Sequence, residues 1–271
     1  MIKTIWGENM PATYTHAIYG EQVYLKLEDK TKQLIDKYRE LYDIGLSGPD
    51  ILFFYRFYKK NLVSEIGFGM HLLPARDFFT QARLIIQQSP NPEAALVYIL
   101  GFINHFVLDS ECHPVINQIV KEKGVNHSEL ESEWDASIMR MKSLDPIRTR
   151  VCDHIHCRKE YAEIIAPFFK VEANDLLESL RTMKLILNAC VAPQNWYRNF
   201  VFWAMKKTGA YEKYYGLVFN REAREDLKEV IEGLQFSMEN VVSVSVQLIE
   251  EYISTLTTTK ALHERYDLNY E

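Results

Sequence analysis

Residues 101–114 read GFINHFVLDSECHP and combine an apolar run with regularly spaced ionisable side chains. On an α-helix a step of four residues turns about 400°, so His105, Asp109 and His113 lie along one stripe that drifts about 40° per step. Residues 106–108 are apolar, which predicts a helix buried on most sides. A buried carboxylate between two imidazoles is costly unless a positive group pairs with it, and a divalent cation is the natural partner. A hydrogen-bonded His–Asp pair in a polar pocket of the core is the alternative.

The rest of the chain favours long helices in the same way. Its 11 glycines and 9 prolines are fewer than the usual share of about 12%, which argues against turn-rich β structure. Over residues 227–256 apolar side chains recur at spacings of three and four, which predicts a helix of about 30 residues. Similar patterns predict helices at residues 15–40, 49–58, 74–88, 92–112, 128–141, 159–169 and 174–189. We therefore predict an all-α, multi-helical fold.

Further candidate ligands flank the central stripe. His127 and Glu131 are four residues apart, so both can reach one metal if the segment is helical. The alternative is a solvated acidic face, because Glu129, Glu133 and Asp135 lie in the same segment. The remaining candidates, all in the first half of the chain, are His16, Asp50 and His71.

Taken in order along the chain, these candidates resemble the ligand set of the zinc-dependent phospholipase C family, whose fold is shared by fungal single-strand-specific nucleases. The ordered set is His16, Asp50, His71, His105, Asp109, His113, His127 and Glu131. The phrases THAIYG, GPDILFFY and GFINHFVLDSECHP look like that family's conserved blocks. The resemblance covers about residues 10–135 and implies the family's all-α fold.

The resemblance also implies two or three zinc ions in a cleft between helices. Asp50, His71, His105 and Asp109 would hold one ion, His113, His127 and Glu131 a second, and His16 with the bridging Asp109 a third. Closely spaced zinc ions polarise a phosphodiester and lower the pKa of water. In the family a carboxylate matching Asp50 is proposed to help deprotonate that water, which gives Asp50 a catalytic role besides its role as a ligand.

Two features depart from the family pattern. Secreted members begin with a tryptophan whose amino group and carbonyl bind the third zinc, whereas here Trp6 is internal. In characterised enzymes six residues separate the bridging aspartate from the next histidine, which follows a proline. Here Asp109 and His113 are four residues apart and Pro114 comes after the histidine.

Length and composition indicate one domain. The chain has 271 residues, 47% of them apolar, and no segment with the composition of a flexible linker. We predict a single domain over residues 1–271. Within it, residues 10–135 carry the metal-ligand motifs and residues 136–271 form a helical scaffold.

Charge and hydropathy argue against two kinds of partner. The formal net charge is −6, which disfavours a stable nucleic-acid partner. The longest apolar run, residues 94–108, contains Asn104 and His105 and is too short to span a bilayer core of about 30 Å. We therefore predict no transmembrane segment.

The N-terminal sequence MIKTIWGENM lacks the apolar run and small-residue cleavage site of a secretion signal, so a cytoplasmic location is expected. The four cysteines form no CxxC pair and are expected to be reduced. Residues 152–157, CDHIHC, offer four metal-binding side chains. Tetrahedral zinc sites normally draw on two separated segments, so packed or surface residues are the preferred interpretation of this hexapeptide.

Aromatic side chains concentrate in residues 53–58 and residues 196–219. They could receive an acyl chain, stack on a base or cage a quaternary ammonium group. Their helical spacing favours packing into the core instead. The lysine pairs that follow, at 59–60 and 206–207, are typical of solvated faces.

Together these inferences predict a zinc-dependent phosphoester hydrolase, a phospholipase C-like phosphodiesterase that uses metal-activated water. The expected partner is a phosphoester substrate, and the resemblance suggests a phospholipid headgroup. One alternative is a phosphodiesterase or nuclease that acts on a soluble substrate. The other is a non-catalytic helical module whose zinc serves folding or regulation.

Overall fold

The computed structural model describes residues 12–271, and within this range it contains twelve α-helices and no β-strand. The helices are α1 (Thr13–Lys26), α2 (Asp29–Lys37), α3 (Arg39–Gly45), α4 (Leu62–Leu72), α5 (Arg76–Gln88), α6 (Pro92–Lys123), α7 (His127–Met141), α8 (Lys159–Phe169), α9 (Ala173–Ala189), α10 (Asn195–Lys207), α11 (Tyr211–Tyr214) and α12 (Lys228–Thr255). Short 3-10 helices lie at Gly48–Phe54, Tyr215–Leu217, Glu225–Leu227 and Glu264–Asp267. The all-α prediction is confirmed. Trp6 lies outside the described residues.

Helix α6 lies at the centre of the molecule. Every residue from Ala94 to Ser110 is buried, and α6 packs against α1, α3, α5, α7, α8 and α12. By length and composition α6 could also cross a membrane, but 94% of its most apolar 18-residue window is buried inside the molecule. The apolar surface of α6 is therefore covered by protein.

Two glycines let α3 approach α6 closely. A Cβ on Gly45 would lie 2.2 Å from the carbonyl oxygen of Tyr98, and a Cβ on Gly101 would lie 2.1 Å from the carbonyl oxygen of Tyr42. Both distances are far shorter than a van der Waals contact, so neither position tolerates a side chain. The close crossing brings the chain that follows α3 against the middle of α6.

Helix α6 is longer than the pattern predicts. We expected it to end at Cys112, before Pro114, but it continues to Lys123. Proline removes one helical hydrogen bond without ending the helix here, because Ile116 beyond it is buried in the core. The helix ends at Gly124, whose φ of 67° is the left-handed conformation typical of a helix C-terminus.

Other predicted bounds differ for local reasons. The helix expected over residues 15–40 divides at Leu27, whose extended backbone ends α1. The helix expected over residues 49–58 is a 3-10 helix that ends at Phe54, and Arg56 has a φ of 43° that no α-helix accommodates. Helix α4 was not predicted, although Asn61 caps it by accepting a hydrogen bond from the Ser64 N–H at 2.9 Å.

The expectation of core packing holds for only part of each aromatic segment. In the first, Phe53 and Phe54 are buried, whereas Phe57 and Tyr58 are 42% and 73% exposed. The expectation of core packing is wrong for α10 in the second, where Trp196, Phe200 and Trp203 are 72%, 54% and 56% exposed. None of the described residues of α10 is buried.

Candidate metal centre

The eight predicted ligands come from five elements and meet beside α6. His16 lies on α1, Asp50 on the 3-10 helix Gly48–Phe54, His71 on α4, His105, Asp109 and His113 on α6, and His127 and Glu131 on α7. All eight are buried. The structure thus brings together side chains that are up to 115 residues apart along the chain, from His16 to Glu131.

Asp109 occupies the middle of the cluster. Its Oδ2 lies 2.9 Å from His105 Nε2, and its Oδ1 lies 3.1 Å from His16 Nε2 and 3.9 Å from His113 Nε2. The imidazole rings of His16 and His105 are stacked, with their centroids 4.5 Å apart. With His71, whose Nε2 lies 3.8 Å from Oδ2, one carboxylate therefore faces four imidazoles, as a bridging ligand would.

Asp50 and His71 complete a second group with His105. Asp50 Oδ1 lies 3.0 Å from His71 Nε2, and Asp50 Oδ2 lies 3.9 Å from His105 Nε2. His71 Nε2 also lies 3.8 Å from Asp109 Oδ2. His105 is therefore shared between the group around Asp109 and the group around Asp50.

The third group joins α6 to α7. Glu131 Oε1 lies 3.3 Å from His127 Nε2 and 3.4 Å from His113 Nε2. Because Asp109 and His113 are four residues apart on α6, His113 lies between the carboxylates of Asp109 and Glu131. The departure from the family's spacing is therefore compatible with a continuous cluster.

These donors fit metal ions. Each group offers ligand atoms that all lie within 4.8 Å of one another, and zinc bonds of about 2.0–2.3 Å place the ligand atoms of one ion about 3–4 Å apart. The buried atoms that lack a hydrogen-bond partner include four ligand atoms of these groups: His105 Nε2, Asp109 Oδ2, His127 Nε2 and Glu131 Oε2. Although His105 Nε2 and Asp109 Oδ2 are only 2.9 Å apart, they lack the directional geometry of a hydrogen bond. A cation in each of the two groups would satisfy them.

Backbone carbonyls orient three of the imidazoles. The Nδ1–H groups of His71, His105 and His113 donate to the carbonyl oxygens of Gly67 (2.9 Å), Leu46 (3.2 Å) and Tyr270 (2.6 Å), respectively. Because a carbonyl only accepts, each bond places the proton on Nδ1 and leaves Nε2 as the metal-binding atom.

Gly48 fits against His105. Its φ is 51°, and a Cβ at this position would lie 2.1 Å from Cδ2 of the His105 ring. Only glycine meets both demands at once. The residue two positions before Asp50 therefore determines how closely the 3-10 helix approaches α6.

Charge sets the protonation of the carboxylates. Burial on its own raises the pKa of Asp109, but the positive charges of His105 and His113 hold it well below the usual value of 3.8. Burial likewise raises the pKa of Glu131, and the charge of His127 more than offsets that effect. Both carboxylates are therefore ionised at neutral pH.

The pKa values of three histidines are shifted upwards, in the opposite direction to those of the carboxylates. Burial lowers the pKa of His113, yet the negative charge of Asp109 is among the effects that raise it to about 10. The pKa of His16 is raised in the same way by Asp109, and that of His71 by Asp50, each against the effect of burial. Protons therefore occupy positions that a dication would take, and metal binding must release them.

Asp135 has a role that the sequence did not indicate. We considered it part of an exposed acidic face, but it is buried and accepts hydrogen bonds from the N–H groups of Tyr14 (3.1 Å) and Thr15 (2.7 Å) and from the Thr15 hydroxyl (2.6 Å). It thus caps α1 from α7 and holds the turn that carries His16. The interpretation as a solvated face is also wrong for Glu131 and Glu133, which are buried.

Tyr270 was also missed, because no local pattern connects it with residues so far away in sequence. Its carbonyl orients His113, its N–H donates to the carbonyl of His71 at 3.2 Å, and its ring centroid lies 5.3 Å from that of His71. The last residues of the chain therefore form one wall of the centre.

The hexapeptide at residues 152–157 does not form a comparable group. Among residues 12–271, the groups of three or more convergent donors include none of its side chains. Cys152 is buried, and its thiol lies 3.6 Å from Asn188 Oδ1. Packing accounts for this segment, as the sequence suggested.

Comparison with known proteins gives one family. A family model described as zinc dependent phospholipase C matches residues 15–183. No curated protein and no solved structure matches the chain. The matched region contains all eight candidate ligands and extends beyond residue 135, whereas α10 and Tyr270 lie outside it.

Proposed function

This chain belongs to the zinc-dependent phospholipase C family, and we propose that it is a zinc-dependent hydrolase that cleaves phosphodiesters. The observation that carries the proposal is the convergence of three buried donor groups, of which two share His105 and the third adjoins Asp109 through His113. A structural zinc site needs only four ligands around one ion. A cluster with a bridging carboxylate fits two or three adjacent ions, which is the arrangement used for in-line displacement at phosphorus.

The proposed ligand sets follow the three groups. Asp50, His71, His105 and Asp109 hold one ion, His113, His127 and Glu131 a second, and His16 with Asp109 a third. Zinc bound there supplies a Lewis acid that polarises the phosphoryl oxygens and lowers the pKa of water. The side chains supply the geometry, since each histidine that is oriented through Nδ1 presents Nε2 inward.

Asp50 is the proposed proton acceptor. It lies at the start of the 3-10 helix, is 4% exposed, and reaches His71 with one carboxylate oxygen while the other lies 3.9 Å from His105. A carboxylate at the edge of the cluster can take a proton from the attacking water while it still holds a ligand position.

A phospholipid headgroup is the substrate we propose within this class. The net charge of −6 disfavours nucleic acid, which leaves a soluble phosphodiester as the competing substrate. A cytoplasmic location remains a prediction from the N-terminal sequence.

The test combines metal analysis with turnover. Purified protein should contain at least two zinc equivalents and hydrolyse bis-p-nitrophenyl phosphate, and activity on phosphatidylcholine vesicles and on short single-stranded DNA would rank the natural substrates. Asp50→Asn should lower turnover by at least about 100-fold while most zinc is retained. Asp77→Asn, at an exposed carboxylate on α5, is the matched control.

Two results would contradict the proposal. Turnover that survives in Asp50→Asn would remove Asp50 from the mechanism. A single tightly held zinc with no hydrolysis of any of the three substrates would instead assign the metal to folding.

A further inference from the structure

Helix α10 exposes an unusual set of side chains. Its sequence, NWYRNFVFWAMKK, contains five aromatic residues, and Trp196, Phe200 and Trp203 recur at helical spacing with more than half of their surface exposed. Isolated exposed apolar residues are common, but a contiguous aromatic face on one helix marks an interaction surface. Helix α10 lies outside the region matched by the family model.

A second segment extends the same surface. In residues 55–62, Phe57, Tyr58 and Leu62 are 42%, 73% and 78% exposed. This segment and α10 border one cavity of about 300 Å³, which is lined by apolar side chains that include Phe57 and Phe200. Because these two lining residues are themselves exposed, the cavity opens onto the aromatic surface. We call α10 together with residues 55–62 the aromatic face.

The charged side chains within the aromatic face are all basic. Helix α10 carries Arg198, Lys206 and Lys207 and no acidic residue, and residues 55–62 carry Arg56, Lys59 and Lys60 and no acidic residue. Arg56 is paired with Glu178 at 3.5 Å. Exposed side chains include those of Lys59, Lys60, Lys206 and Lys207. A basic patch on a chain with a net charge of −6 is complementary to an anionic surface.

We propose that the aromatic face docks on an anionic phospholipid bilayer. Exposed tryptophan and phenylalanine side chains beside lysines are the composition of helices that lie in the membrane interface, where the rings enter the headgroup region and the lysines meet lipid phosphates. Protein–protein interfaces are instead depleted in lysine. The apolar cavity beneath the face suits an acyl chain.

Docking in this orientation places the bilayer next to the metal centre. Phe53 lines the cavity, and its ring centroid lies 5.2 Å from that of His71. The proposal does not depend on the proposed hydrolysis, because membrane binding is measured without turnover.

Vesicle flotation with the full chain tests the proposal. The protein should float with vesicles that contain phosphatidylcholine and phosphatidylserine in equal amounts, and tryptophan emission should shift to shorter wavelength. The triple variant Trp196→Ser, Phe200→Ser, Trp203→Ser should lose at least about 10-fold in affinity while zinc content and hydrolysis of a soluble substrate are unchanged. The matched control, Leu25→Ser with Phe236→Ser, removes exposed apolar side chains of α1 and α12 and should bind like the parent.

The lysines give an independent readout. Lys206→Gln with Lys207→Gln should weaken binding to these vesicles by about 30-fold at low salt, and added salt should reduce the difference. Equal binding by the aromatic triple variant and the parent, or no binding by the parent, would overturn the proposal. A dimer that only the parent forms would also overturn it, because the face would then belong to a second copy of the chain.

Discussion

Helices α6 and α10 break the usual rule of burial in opposite directions. Helix α6 buries His105, Asp109 and His113 in the most protected part of the molecule, whereas α10 leaves Trp196 and Trp203 in solvent. Buried polar groups and large exposed apolar patches are the departures that carry information about function. The buried polar groups of α6 are explained by a metal-binding centre in which they converge. The exposed aromatic residues of α10 are explained, we infer, by contact with a membrane.

The aromatic side chains of α6 and α10 also differ in what they contact. The aromatic side chains of α6 pack against neighbouring rings, as Phe106 does against Tyr266 and Tyr270, with ring centroids 5.6 and 5.2 Å apart. Those of α10 stack mainly on each other, as Phe200 does on Trp203. We therefore expect substitutions of the buried residues of α6 to impair folding or metal binding, and substitutions of the exposed Trp196, Phe200 and Trp203 of α10 to affect docking alone.

The largest effect is expected from Asp109→Asn, which removes the carboxylate that faces four imidazoles. Removing a residue that is only hydrogen-bonded to a metal ligand lowers metal affinity by roughly 10–100-fold. Loss of a ligand should lower zinc affinity further, and turnover should become undetectable. Isothermal titration of the metal-free protein with zinc measures the loss. Glu111→Gln, two residues further along α6 and bound to Arg265, is the control that should keep its zinc. Normal zinc content in Asp109→Asn would contradict the bridging role.

The contrast in packing is tested by one aromatic deletion in each helix. Phe106→Ala should lower the free energy of unfolding by about 3–5 kcal/mol, because the buried ring leaves a cavity. Trp203→Ala should change it by no more than about 0.5 kcal/mol, because the ring is mostly exposed. Urea denaturation measures both. Comparable losses in the two variants would mean that α10 belongs to the folded core.

A smaller effect is expected from Gly48→Ala. The new Cβ collides with the His105 ring, and the φ of 51° costs about 1–3 kcal/mol for a side chain, so both stability and zinc content should fall. Gly69→Ala is the control, since a Cβ there meets nothing within 4 Å and alanine in a helix gains about 0.5–1 kcal/mol. Equal thermal midpoints and equal zinc contents would show that the 3-10 helix can move away from α6.

The smallest effect is the release of protons when zinc binds. Carboxylates raise the pKa of His16, His71 and His113, that of His113 to about 10, so in the metal-free protein these imidazoles hold protons more strongly than free histidine does, and zinc must displace them. Zinc binding should therefore release up to three protons, and zinc affinity should increase as pH rises. Calorimetry in buffers with different ionisation enthalpies counts the protons. No dependence on the buffer would show that the histidines are already neutral.

Much of the centre could be predicted because it depends on local spacing. His105, Asp109 and His113 share one face of any helix that contains them, and His127 and Glu131 do the same one helix later. Asp135 and Tyr270 could not be predicted, since each is joined to a residue more than 100 positions away by a hydrogen bond in which one partner is a backbone group. Nearly every residue has a backbone carbonyl and N–H. A hydrogen bond to one of these groups therefore does not restrict which amino acid supplies it, and it leaves no pattern in the sequence.

The sequence by itself determined the helical content, the family and the identity of the side chains that could bind metal, because these depend on periodicity and on the order of chemical groups along the chain. Only the tertiary structure decided that His105 and Asp109 stand at the junction of the donor groups, that Glu131 and Asp135 are buried, and that the aromatic residues of α10 face solvent. The physical reason is that periodicity defines which residues share a side of a helix. Whether that side meets protein, metal or solvent depends on the elements that pack around it.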